Sequence, residues 1–265
     1  MDARWSNCLA NPFDPRVIGT KVPDYNSYPS AAFHVRETYI ITTNAAGNFA
    51  RAFKPRIKGA HHAATEAGGT ITWGAEADVT NYNTISALYQ SYRVVAMGAN
   101  FRYIGNRLNA GGRMQVALVA DTGAGGSTNY PTTNSGFSAL PLYSSVTCNE
   151  LIDQPWMVTS KMVDVDAIDY RAPDTQSADG YTDILIFIRG AEGSVDIMQV
   201  DLIWHLEALP ISVNVGVAVS PAARLDNVDM SRAAAAATEM PVLRATPQPG
   251  KSFYDMLYAN RQIGG

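Results

Sequence analysis

The segment "SVDIMQVDLIWHLEALP" (194–210) alternates apolar and polar residues over most of its length. Met198, Val200, Leu202, Trp204 and Leu206 share one face; Gln199, Asp201, His205 and Glu207 share the other, with Ile203 among them. Period two sustained this far fits a β-strand with one buried face and excludes an amphipathic helix, whose repeat is longer. A second run, "YRVVAMGANFRYIGNRLNAGGRMQVALVAD" (92–121), has the same character. Val95, Met97, Ala99, Phe101 and Tyr103 alternate, as do Met114, Val116 and Leu118. "NAGG" (109–112) between them supplies residues that tolerate positive φ, so the run predicts a long hairpin. His205 is placed on the polar face, at a surface or an interface.

Other strands follow from β-branched and aromatic content. "FHVRETYIITT" (33–43) and "NFARAF" (48–53) flank the turn "NAAG"; "TITW" (70–73), "WMVTSKMVDV" (156–165) and "DILIFIR" (183–189) complete a set of about eight. Residues 54–69 read as a loop from their Pro and Gly, and "NTISALYQSY" (83–92) as a short helix. Residues 122–155 read as one long polar insertion, and loops of that length commonly carry function. After Pro210 the pattern changes. "ISVNVGVAVS" (211–220) is extended and apolar, "SRAAAAATEM" (231–240) favours helix, and "SFYDMLYANRQI" (252–263) is amphipathic, with Ser252 and Asp255 in a capping-box pattern. The expected architecture is all-β: an eight-stranded antiparallel jelly roll of two packed sheets, with short helices in loops and at the C-terminus. The expected division is an arm at 1–30, a jelly-roll domain at 31–210 and a tail at 211–265.

Composition narrows the function. Hydrophobic residues make up 46% and charged residues only 17% of 265. That balance opposes disorder and fits a chain with much surface buried, in a core or against neighbours. A formal net charge of −4 does not suit a general nucleic-acid binder. No apolar run is long enough to span a membrane as a helix, and the first residues lack the pattern of a secretory signal. Cys8 and Cys148 lie far apart, and pairing between them stays open.

Signatures of catalysis are missing from the sequence. "GAGGST" (123–128) lacks the lysine of a phosphate-binding loop, and no Gly-x-Ser-x-Gly or His-Glu-x-x-His occurs. His61 and His62 are adjacent, so on a strand they point to opposite sides. In "DVDAID", Asp164 and Asp166 fall two apart; on a strand they share a face, which makes them the candidate pair for a structural Ca²⁺ between subunits. Asp226 and Asp229 in "LDNVD" make a weaker pair of the same kind. "RAFKPRIK" (51–58) is the one dense basic stretch, and Arg51, Lys54, Arg56 and Lys58 are the candidate phosphate contacts.

Three segments carry a resemblance: "CLANPFDPRVIGTKVPD" (8–24), "YRVVAMGANFRYIG" (92–105) and "VDLIWHLEALP" (200–210). Their order resembles that of the single-jelly-roll capsid proteins of the nodavirus and tombusvirus type. These include the related coats of small circular single-stranded DNA viruses such as the bacilladnaviruses. The resemblance implies a non-enzymatic coat subunit that self-assembles in the virion into an icosahedral shell, commonly T=3, around the viral genome. It implies that the segment before the first strand runs inside the shell and that C-terminal helices lie beneath it. It places the 122–155 insertion outside, with Tyr130, Phe137 and Tyr143 as residues that meet a host receptor. Two departures stand out. Members of this type carry an N-terminal arm rich in Arg and Lys, whereas residues 1–25 contain only Arg4, Arg16 and Lys21, so either the arm is missing from this chain or packaging uses internal residues such as the 51–58 stretch. Neither Asn227 nor Asn260 has the setting of the nodaviral self-cleavage site. The rival readings are a carbohydrate-binding jelly roll, with Tyr130, Tyr143 and Trp156 stacking on sugars, and a β-sandwich hydrolase built on paired aspartates such as Asp164.

Overall fold

Among the described residues ten strands run in order: β1 (Ala31–Thr42), β2 (Phe49–Phe53), β3 (His61–Ala67), β4 (Thr70–Ala77), β5 (Tyr89–Tyr103), β6 (Arg113–Ala120), β7 (Leu142–Thr147), β8 (Trp156–Thr159), β9 (Thr182–Arg189) and β10 (Asp196–Pro210). Three short α-helices accompany them among the described residues: α1 (Ala3–Ala10), α2 (Tyr82–Leu88) and α3 (Asn134–Ser138). The structure, a computed structural model, describes residues 3–23, 29–120, 129–175 and 180–211. The readings at 211–220 (beyond residue 211), 231–240 and 252–263, and those of Asp226, Asp229, Asn227 and Asn260, lie outside the described residues.

The strands form two antiparallel sheets, ordered β1-β10-β5-β8 and β4-β3-β2-β9-β6-β7. Eight of them, β1, β2 and β5 to β10, make the jelly roll. The hairpin β3–β4 extends the larger sheet beyond β2. The centre of the smaller sheet is the pair of longest strands. β10 is flanked by β1, with Val35 opposite Trp204, and by β5, with Met97 opposite Trp204. Trp204, Met97, Phe101 and Leu202 face inward and meet Phe53, Ile186 and Ile188 of the larger sheet. Each such side chain stabilises the sandwich by roughly 1.5–3 kcal/mol on leaving water.

Four expectations are corrected. The run 92–121 is not a hairpin. β5 pairs with β10 and β8, while β6 pairs with β7 and β9, so the chain crosses from one sheet to the other through Gly105–Gly112. The glycine turn is real, with Gly112 at φ +87. However, β5 is buried along most of its length and takes neighbours on both edges within its own sheet. Second, residues 54–69 are not all loop. β3 occupies the end of that stretch, where the alanines of "HHAATEA" hid the strand. Third, the 122–155 stretch contains β7, an element of the sandwich itself. Fourth, the 156–165 strand stops at Thr159, and Asp164 instead caps a 3-10 turn over Val165–Ile168, accepting from the amide of Asp166.

The larger sheet also has a covered outer face. Ala50, Ala52, Ala117, Leu185 and Phe187 point away from the main core and are roofed by Tyr130 and Phe137 from the segment around α3. Small residues on β2 and β6 leave room for that aromatic cover. Among the described residues no helix is long and apolar enough to cross a membrane.

Candidate functional site

The outer face of the smaller sheet is occupied by the N-terminal segment. Pro12 rests on Gly98 of β5 so closely that a Cβ there would lie 2.5 Å from the proline ring. Beside it, Nε2 of His205 donates to the carbonyl of Pro12 at 2.7 Å. His205 is therefore buried beneath the segment, which corrects its expected place at a surface. Burial holds its pKa below the ordinary histidine value, partly opposed by the Pro12 carbonyl and reinforced by His34 and Arg36. His34 is its direct cross-strand partner on β1, with ring centroids 6.0 Å apart.

Further along the same face lies a buried ion pair. The guanidinium of Arg93 on β5 donates from Nε and Nη2 to Oε2 of Glu207 on β10, at 3.0 and 2.8 Å. Both side chains are almost fully shielded. The pair also holds the N-terminal segment. Glu207 accepts from the amide of Val22 and from the hydroxyl of Ser30, and Arg93 donates to the Val22 carbonyl. Lys21 Nζ donates to the backbone and side-chain oxygens of Ser30. Four hydrogen bonds converge on Glu207, so the pair fixes register where an apolar contact would slide. Sequence reading did not single out Arg93. Its signal was a lone cation inside the apolar run "YRVVAM".

At one end of the sandwich four loops converge. Gly112 approaches Ala191, Asn44 accepts from the amide of Ser194, Asn109 donates to Glu192, and the Cys148 amide donates to the Gly112 carbonyl. Leu108 stands at 92% exposure in this cluster. On a long side of the sandwich, β1 forms an open edge. A cleft of about 480 Å³ lies there, lined by Arg36, Glu37, Tyr39, Arg51, His61 and Asp78 among others. Nε2 of His61 bridges to Glu37 at 2.6 Å, and Glu37 also accepts from the Thr80 amide. Burial raises the Glu37 pKa, but these two bonds more than offset it and hold it below the ordinary value.

The proposed site residues fall as follows. Lys54 and Arg56 are fully buried, and both pair with Glu76, at 2.6 and 3.2 Å. They are internal cations of the β2–β4 region, which corrects their reading as phosphate contacts. Arg51 is half-buried with its guanidinium 4.0 Å from the Tyr39 ring, and Lys58 is half-buried. The basic run thus splits: Lys54 and Arg56 turn inward to Glu76, while Arg51 and Lys58 keep partial solvent access. Tyr130 and Phe137 are also buried, at 4% and 0% exposure, so neither is a receptor contact; Tyr130 donates to Asp183. Tyr143 and Trp156 are half-buried, and Tyr143 accepts from Gln115. Asp164 and Asp166 are exposed. Among the described residues no three His, Cys, Asp or Glu side chains converge as a metal set. Cys8 and Cys148 are both free and buried.

The strand order β1-β10-β5-β8 facing β2-β9-β6-β7 defines an antiparallel jelly roll. In particular, the chain is similar in fold to VP2 of infectious bursal disease virus in its subviral particle, at TM-score 0.65 and 10% identity, covering 98% of this chain and 99% of that one. The protein of the T=13 particle of the same virus matches at TM-score 0.63 and 10% identity, over 98% of each chain. That of its T=1 particles matches at TM-score 0.61 and 10% identity, over 86% of this chain and 89% of that one. No protein-family model matches the sequence, and no curated protein matches it.

Proposed function

We propose that this chain is a capsid subunit that self-assembles into an icosahedral shell around a viral genome and is a structural protein of the virion. The observation that carries the reading is the complete jelly roll with an N-terminal segment locked across the smaller sheet by Pro12, Lys21 and Val22. Solved proteins that share this fold across nearly the whole chain are subunits of icosahedral particles. A sandwich with an apolar interior, a low charge fraction and open sheet edges suits repeated lateral contact between copies. The nodavirus-like and bacilladnavirus-like affinity, T=3 geometry and an outward receptor-facing surface belong to the same proposal and rest on the sequence resemblance. Of the four basic residues in 51–58, Arg51 and Lys58 keep partial solvent access, and Lys58 is the one left for a genome contact.

The test is electron microscopy and sedimentation velocity of the purified full chain, with the ultraviolet absorbance ratio of nucleic acid to protein measured on the same fractions. Uniform round particles are expected. A monodisperse monomer across salt, pH and Ca²⁺ would overturn the reading.

A further inference from the structure

Arg51 presents an imbalance. Its guanidinium is half-buried in the cleft at the β1 edge, and its Nε, shielded from solvent, has no hydrogen-bond partner. Among the described residues neither Arg51 nor Arg36 has a carboxylate within ion-pairing distance. The acids that line the cleft are already engaged. Glu37 accepts from His61 and Thr80, and Asp78 accepts from the Gly59 amide. Glu37 and the Tyr39 ring offset the Arg51 charge only in part, and among the described residues no carboxylate bonds it directly, so the cleft can receive negative charge from outside.

The same chain displays a matching group. β8 is the strand at the opposite edge of the smaller sheet from β1. Beyond it, Val163, Asp164, Val165 and Asp166 are all exposed, the valines at 53% and 66%. Among the described residues no ion pair occupies either aspartate. The cleft offers apolar surface beside its arginines in the ring of Tyr39. We propose that the β1-edge cleft receives Val163–Asp166 of a second copy of this chain, with Arg36 and Arg51 pairing with Asp164 and Asp166. The inference rests on the shell reading and specifies one of its contacts. Joining opposite edges of one sheet makes a head-to-tail interface, which closes into a ring when the rotation permits.

The test is a double-mutant cycle on particle formation by the full chain, followed by sedimentation velocity and electron microscopy. The variants are R36Q/R51Q, D164N/D166N and all four together. Asn at 164 keeps the cap of the 3-10 turn, and both aspartates are exposed, so the D164N/D166N protein folds even if the Arg variant does not. Each pair of substitutions is expected to raise the protein concentration needed for assembly by about tenfold or more. The combination is expected to be no worse than either alone, because each removes the same contact. Effects that multiply would overturn the contact; aspartates that hold a metal ion independently of the arginines would behave so. So would particles of R36Q/R51Q that form normally but lose nucleic acid, which would make the cleft a genome contact. Wild-type particles with unaffected D164N/D166N assembly would sink this contact and leave the shell reading standing. A wild-type monomer under all conditions would sink both.

Discussion

His205 and Pro12 are 193 residues apart in sequence and joined by a hydrogen bond of 2.7 Å. The bond needs the proton on Nε2, because a carbonyl only accepts. Nδ1 is buried without a partner, so protonation there places a cation in a shielded space already facing His34 and Arg36 of β1. The residues of β5 that oppose and flank His205 on this face, Ala96 and Gly98, carry no charge.

Docking of the N-terminal segment should therefore weaken in acid. Both His205 and His34 have pKa values depressed by burial. The unfolded or undocked state then binds more protons below the ordinary value of about 6.5, so stability is full above it and is lost as pH falls through the depressed pKa. Limited proteolysis after Arg4 and Arg16 between neutral and mildly acidic pH checks this. Cleavage should accelerate on acidification, and His205→Gln, which keeps a donor but does not titrate, should flatten the dependence.

The pair Arg93–Glu207 should respond asymmetrically to substitution. Glu207→Ala leaves a buried guanidinium and orphans the Val22 amide, and should cost about 3–5 kcal/mol. Replacing both with apolar residues should cost less than either single change, since no uncompensated charge remains. Urea unfolding of the three variants measures this. A Glu207→Ala protein as stable as wild type would refute the role given to the pair.

Phe137 was expected at an exposed loop and is instead fully buried against Phe187, with ring centroids 5.8 Å apart. Phe137→Ala should cost about 3–5 kcal/mol in thermal or denaturant unfolding. It should also open the outer face of the larger sheet to a hydrophobic dye. A change within experimental error would mean that the segment is not a true roof.

What the sequence disclosed, and what it hid, follows from range. β10 was legible because its alternation is a local consequence of one buried face, and the same holds for the inward residues of β5. The partners of those strands were not legible. The glycines of "NAGG" mark a turn, but a turn does not state whether the strands beside it pair or separate into two sheets. β3 was hidden because "HHAATEA" is poor in β-branched residues; its burial comes from β2, β4 and the smaller sheet around it. The basic run 51–58 misled for the same reason. Charge is visible in sequence, whereas Glu76, which takes both Lys54 and Arg56, lies on a strand that only the fold brings near. Arg51, on β2, is not taken by Glu76 and lies instead against the Tyr39 ring.

The two cysteines provide a last check on how tightly the described core is closed. Burial pushes the Cys8 thiol up to about 12 and that of Cys148 up to about 11. The thiolate is the reactive form, so at neutral pH both should be almost inert. Cys8 sits in α1, within the docked N-terminal segment, whereas Cys148 follows β7 in the sandwich. A thiol reagent applied to native protein should label neither at neutral pH. On acidification, labelling by a reagent that tolerates acid should appear at Cys8 first, because release of the segment uncovers it while the sandwich stays closed. Simultaneous labelling of both would show that the segment and the sandwich open as one unit, and that the contact between His205 and Pro12 is not a separable hinge.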